Sequence, residues 1–172
     1  MKLLRLLLLL ACASPVWAAD QEAETTLFVQ SVFTSVPIPE FLWLDGEMRK
    51  RIQTILEHDY PAARLRYWRT GNRTAWVLDE IGKEMPITVG ISVQEDAVER
   101  VRVLVYRESR GWEVKNPAFT RQFDGARLAG EQRLDRRIDG ISGATLSVRA
   151  LTRLTRLALL LHRHVIFGAV HP

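Results

Sequence analysis

Two apolar periods alternate along this chain, and the change between them marks its elements. The apolar residues of 27–35 predict a first short helix, ended by Pro37 and Pro39, after a polar, flexible lead over 19–26. Met48, Ile52, Ile55 and Leu56 recur at helical spacing and Asp45 stands where an N-cap belongs. A second helix is therefore predicted over 45–57, closed by Pro61. From residue 63 the period shortens to two. Strands are predicted over 63–70, 74–78, 87–93 and 98–106, with Gly71-Asn72 and Gln94-Glu95-Asp96 as turn signals. In the last and strongest strand Val101, Val103 and Val105 point one way. Strands joined by such short turns pair antiparallel. A short helix over 117–123, an irregular stretch over 124–139 and a long helix from near Leu146 complete the chain. In that helix Ser147, Leu151, Leu154, Ala158, Leu161 and Val165 form the core stripe, and Arg149, Arg153, Arg156 and Arg163, with Leu160 among them, form a solvated face. The predicted class is α+β: one antiparallel sheet flanked by helices, with a long C-terminal helix.

The start of the chain reads differently. Met1-Lys2 and Arg5 precede a short apolar run over 6–13, and Val16-Trp17-Ala18 places small residues for a cut before Ala19. This is the plan of a secretory signal, and the run is too short to span a bilayer. The expected organisation is a signal peptide over 1–18, a helical segment over 19–62 and a main domain over 63–168, in a periplasmic or otherwise exported protein. Leu9-Leu10-Ala11-Cys12 is a poorer match to a lipoprotein box, so a lipid anchor on Cys12 is the lesser expectation. Cys12 is the only cysteine, so cleavage after Ala18 leaves no thiol for disulfides, zinc–thiolate sites or iron–sulfur clusters. Cleavage also removes Lys2 and Arg5, leaving 22 basic residues against 20 acidic ones. A net charge of +2 is too small for a nucleic-acid footprint, and no nucleic-acid partner is expected. His162 and His164 are two apart on a helix and point in different directions, so no shared metal is expected, and His58 and His171 have no visible partner.

The candidate chemistry lies in Asp139-Gly140-Ile141-Ser142-Gly143-Ala144-Thr145, immediately before the long helix. Gly143 and Ala144 allow close approach to the backbone, and a helix start offers unpaired N–H donors with a partial positive charge. A phosphate suits that position, and Thr145 adds a hydroxyl there. The plainer reading makes Ser142 and Thr145 helix caps.

Asp-x-x-Ser-Gly-Ala-Thr resembles the flavinylation motif of FMN-binding domains like those of the C subunit of sodium-pumping NADH:quinone reductase and the G subunit of the Rnf complex. A second stretch adds to the resemblance: Val105-Tyr106-Arg107-Glu108-Ser109-Arg110-Gly111-Trp112, followed by Phe119 and Gln122-Phe123. Those transporter subunits carry a Thr-Pro-Gly-Leu-Gly type turn where this chain has Ser109-Arg110-Gly111-Trp112. The resemblance spans about residues 87–160. It implies that a flavin transferase moves FMN from FAD onto Thr145 as a phosphoester. It further implies that Asp139, Gly140, Ser142, Gly143 and Ala144 shape the site. Arg149, one turn past Thr145, is a candidate to neutralise phosphate charge, with a solvated arginine as its plain alternative. Trp112, Phe119 and Phe123 are candidates to cover the ring, and Glu108 and Gly111 to border it, with core packing or a strand end as the plain alternatives.

The expected function is electron transfer between a membrane or periplasmic oxidoreductase or cytochrome and another redox partner, with the flavin doing the redox chemistry. The arginine face of the last helix is a lesser candidate for an acidic partner or peripheral membrane contact. A flavin-dependent reductase of a small substrate, and a flavin-free binding or sensor module, are the alternatives. No Ser-His-Asp spacing, P-loop or dinucleotide fingerprint is present.

Overall fold

The structure is a computed structural model and describes residues 15–130 and 132–168. Lys2, Arg5, Cys12, His171 and most of the expected signal peptide lie outside those residues.

The first helix, α1 (Pro15–Val32), begins well before the expected residue 27 and takes in the whole lead expected to be flexible. The reason is tertiary. Thr25, Phe28, Val29 and Val32 recur at helical spacing and are buried against the sheet with Phe33, Trp68, Ala75 and Leu104. Polar residues of the lead are held as well. Arg66 donates to both oxygens of Glu22, Arg102 pairs with Glu24, and Arg107 donates to Gln21 Oε1 at 3.0 Å. The helix ends at Val32, short of the expected residue 35.

After Pro37 and Pro39 the chain forms a strand that the alternation did not predict, β1 (Glu40–Trp43). It pairs antiparallel with β2 (Arg64–Thr70), so the segment expected to be helical over 19–62 also supplies an edge of the sheet. Between them lies α2 (Gly46–Leu56). Asp45 caps it by accepting from Met48 N at 2.7 Å, and Met48, Ile52, Ile55 and Leu56 are its buried face, as their spacing predicted. The helix stops because Glu57 turns left-handed at φ 66, four residues before Pro61.

The sheet continues with β3 (Arg73–Ile81), β4 (Pro86–Gln94) and β5 (Ala97–Tyr106), in the order β1-β2-β3-β4-β5, all antiparallel. β4 is buried along nearly its whole length because α1 covers one face of the sheet and α2 and α4 (Thr145–Phe167) cover the other. At Gly90, a Cβ would stand 2.7 Å from the Phe28 ring, so a glycine is what lets α1 approach. Register shifts leave Glu99 and Leu104 unopposed in β5. Val101 and Val103 face the α4 side as expected, but the shift at Leu104 turns Val105 to the α1 side.

Beyond β5 come a 3-10 turn (Trp112–Lys115), α3 (Pro117–Thr120) with a further 3-10 turn (Arg121–Phe123), and a small hairpin of β6 (Leu128–Ala129) and β7 (Arg133–Leu134) inside the stretch expected to be irregular. The class is α+β, as predicted. Among the described residues no helix is long and apolar enough to cross a membrane.

The outer face of α4 departs from expectation. Leu160 is 2% exposed, and the helix is buried continuously from Leu157 to His162. Arg153, Arg156 and Arg163 do not form a solvated docking face. Arg153 pairs with Glu57, Arg163 grips Asp96 with two bonds at 2.6 and 2.8 Å, and Arg156 donates to the carbonyls of Gln132 and Ile55. Each guanidinium ties α4 to a neighbouring segment and is spent within the fold.

Candidate functional site

The end of β5, the turn between β3 and β4, and the start of α4 meet at one end of the sheet. Between them lies a cleft of about 600 Å³, lined by Lys83 and Glu84, by Glu108, Ser109 and Arg110, and by residues 143–147. Across Arg110 and Gly143 lies a second recess of about 280 Å³, bordered by Gly111, Trp112, Glu113 and Ser142. The two stretches singled out in the sequence are thus brought to one place.

α4 begins without a side-chain cap. Ala144 is its N-cap residue, and neither Ser142 nor Thr145 bonds back to the first turn. The capping role that the plainer reading gave these hydroxyls is not filled. Ser142, Gly143 and Thr145 are exposed, and Gly143 turns the chain at φ 81. The first-turn N–H groups and the Thr145 hydroxyl therefore stand together at the positive end of a long helix. That donor set fits a phosphate.

Ala144 is buried because Gly111 lies against it. Gly111 has φ 83, and a Cβ there would stand 2.8 Å from Tyr106 Oη and 3.0 Å from Ala144 Cβ. Glycine at 111 and a small residue at 144 are thus one packing requirement. Tyr106 ties the same junction: its hydroxyl donates to Arg110 O at 2.5 Å and lies 3.0 Å from Ser147 Oγ. Partial burial raises the Tyr106 pKa, so the phenol keeps its proton and both contacts. Tyr106, Lys83, Glu84, Ser109, Arg110 and Leu146 were not singled out in the sequence as site residues. Tyr106 and Arg110 lie within the stretch around Glu108 and Gly111, but nothing local says that they meet α4.

Glu108 is engaged elsewhere. Its Oε1 accepts from the backbone N–H groups of Lys83, Glu84 and Met85 at 2.5, 2.7 and 3.0 Å. Those bonds hold its carboxyl below the usual range, the Met85 bond foremost. Glu108 shapes the cleft by holding the β3–β4 turn. Phe123 is fully buried and Phe119 is 6% exposed, the two rings edge-to-face at 5.9 Å, so both are core residues with no face to offer a ligand. Trp112 is 63% exposed at the smaller recess, and of the three aromatic candidates it is the one available to cover a flat ring.

Asp139 and Gly140 are exposed on the approach to the motif, and Asp139 N donates to Gln122 Oε1 at 2.8 Å, which fixes the loop to the 3-10 turn. Arg149 is exposed one turn into α4 and does not line the cleft; the arginine that does is Arg110. Among the described residues no three His, Cys, Asp or Glu side chains are grouped to hold a metal ion. His58, without a visible partner in the sequence, meets both oxygens of buried Glu80 at 2.9 and 3.0 Å. His162 is buried against Thr74.

No curated protein matches the chain. Residues 82–160 match the family model described as the FMN-binding domain, a span that runs from the β3–β4 turn through the uncapped start of α4 and so contains both walls of the cleft. That span of the chain is an FMN-binding domain, which supports a flavin-binding role for the protein.

Proposed function

We propose that this protein is an exported electron-transfer flavoprotein that carries FMN covalently on Thr145. The observation that carries the reading is the exposed Thr145 hydroxyl at the uncapped start of α4, inside the span of the FMN-binding domain. In the attachment step the Thr145 oxygen forms a bond to the FMN phosphorus of FAD, the bond from that phosphorus to the AMP portion breaks, and AMP leaves with the hydroxyl proton. A flavin transferase is the partner for this step. The first-turn N–H groups of α4 and the backbone at Gly143 hold the phosphate, while the Ala144 N–H donates to Ile141 O and shapes the loop. Arg110, between the two recesses, is placed to offset its charge, and Trp112 offers the ring a flat surface. The flavin ring supplies the redox chemistry, and a membrane or periplasmic oxidoreductase or a cytochrome is the electron partner.

Export is supported by the charge and apolar pattern of 1–18 and by where α1 packs. Thr25, Phe28, Val29 and Val32 of α1 are buried and follow Ala18, so a cut there keeps these packing residues in the mature chain.

The test is the intact mass of the protein recovered from cells with and without a flavin transferase, beside Thr145→Ala. A transferase-dependent gain of FMN less water, absent in Thr145→Ala, is expected, on a chain beginning at Ala19. No gain on a correctly cleaved chain refutes covalent attachment, and a gain that persists in Thr145→Ala refutes the assignment to this residue.

A further inference from the structure

We propose that the free edge of β5 is a docking groove for an extended acidic segment of a partner protein, which adds to the sheet as a sixth strand. β5 is the last strand of the sheet. Among the described residues, only Val98 makes backbone bonds beyond the sheet from this edge, donating to Ala126 O at 2.8 Å and accepting from Gly125 N at 2.7 Å. Val98 thus directs both backbone groups away from β4. In antiparallel pairing alternate residues do so. Counted from Val98 across the unopposed Glu99, the next such residues are Val101 and Val103.

Those two residues line a groove of about 550 Å³ although their side chains are in the core, 3% and 5% exposed. They present backbone to the groove. One wall is α1, through Glu24; the other is formed by Lys115 and by Pro117, Thr120 and Arg121 on and after α3. A strand edge lying between two helical walls is the geometry by which peptides are captured through main-chain bonds.

The rims choose the sign of the occupant. Arg100 and Arg102 stand on the α1 side, and Lys115 and Arg121 on the α3 side. Glu24 is committed to Arg102 at 3.1 Å, whereas Arg100, Lys115 and Arg121 form no ion pair among the described residues. Asp124 is the other carboxylate present, and burial raises its pKa against the pull of Arg100, Arg121 and Arg136. Four cations over two acids favour a segment with Asp or Glu at alternate positions. The undescribed start of the chain does not suit the groove, since residues 1–14 carry Lys2 and Arg5 and no acid.

The test uses the full chain and a blocked, fluorescent heptapeptide of alternating valine and glutamate. Three controls accompany it: a lysine-for-glutamate peptide, a backbone N-methylated peptide, and the Lys115→Glu/Arg121→Glu protein. Binding of the acidic peptide is expected, weakened about tenfold or more by each control, because both charge and main-chain bonds are removed in turn. Amide exchange at Val101 and Val103 slows on binding, and Thr145→Ala binds unchanged, which keeps this result separate from the flavin assignment. If the lysine or N-methylated peptide binds equally, if the acidic peptide fails to bind, or if Val101 and Val103 are unprotected, the proposal is overturned.

Discussion

The buried His162 ring makes acid stability the sharpest test of the packing between α4 and the sheet. His162 is 0% exposed. Its Nδ1 lies 2.8 Å from Thr74 Oγ1, which also accepts from Trp76 Nε1 at 2.9 Å, and its Nε2 has no partner among the described residues. Protonation would place a charge in the core on a ring whose Nε2 has no acceptor among the described residues. Burial accordingly pushes the pKa down from 6.5 to about 4, opposed by Asp96 and assisted by Arg163 and Arg69. The unfolded chain binds this proton near pH 6.5 and the folded chain only near 4, so the unfolded state holds more protons in between. The stability due to neutral His162 is therefore complete above pH 6.5, falls as the pH drops from 6.5 to 4, and is flat below that. At about 1.4 kcal/mol per unit, the loss is at most on the order of 3 kcal/mol, a large part of the roughly 5–15 kcal/mol typical of a domain. His58 works in the opposite sense. Its bonds to Asp59 O and Glu80 raise its pKa, so its contribution is full below pH 6.5 and is lost as the pH rises through the raised value. Urea unfolding at pH 8, 6, 5 and 4 of the native protein and of His162→Gln, which keeps a polar group for Thr74 without titrating, separates the two. The stability gap between them should narrow or reverse on acidification. Parallel pH profiles, or a His162 titration near 6.5 by NMR, would refute the account.

Three further outcomes follow from the cleft and the sheet. Gly111→Ala forces a side chain into a left-handed position against Tyr106 and Ala144, and should cost about 1–3 kcal/mol by thermal or urea unfolding and lower the flavin retained per chain. Glu108→Ala strips the acceptor from three backbone N–H groups; with water able to replace it, a loss of about 1 kcal/mol is expected, with faster amide exchange at Lys83, Glu84 and Met85, while Glu108→Gln should retain most of the stability. Gly90→Ala presses on the Phe28 ring and should destabilise by about 1–3 kcal/mol, and a second change, Phe28→Leu, should recover part of that; additive losses would show that α1 does not pack through this contact.

Much of this molecule was legible from neighbours along the chain. The Asp45 cap and the spacing Met48, Ile52, Ile55, Leu56 specify α2 because capping and helical periodicity are local. The alternation through β4 and β5, and the turns after Thr70 and Gln94, specify an antiparallel sheet for the same reason. Small residues ahead of Thr145 likewise marked where a long helix starts, since a turn and a helix start are local features. Tertiary structure decided what each side chain was used for. Four residues after two prolines become β1 only because the free edge of β2 accepts them. Phe123 is drawn into the core and Glu108 is taken by the β3–β4 turn, while Tyr106 and Arg110 are carried to the start of α4. The arginines of α4 look like a solvated stripe by period, yet find Glu57, Asp96 and the carbonyls of Gln132 and Ile55. Periodicity records which way a residue points, whereas a hydrogen-bond or ion-pair partner is chosen by whatever distant segment folds against that direction, and no local pattern carries that information.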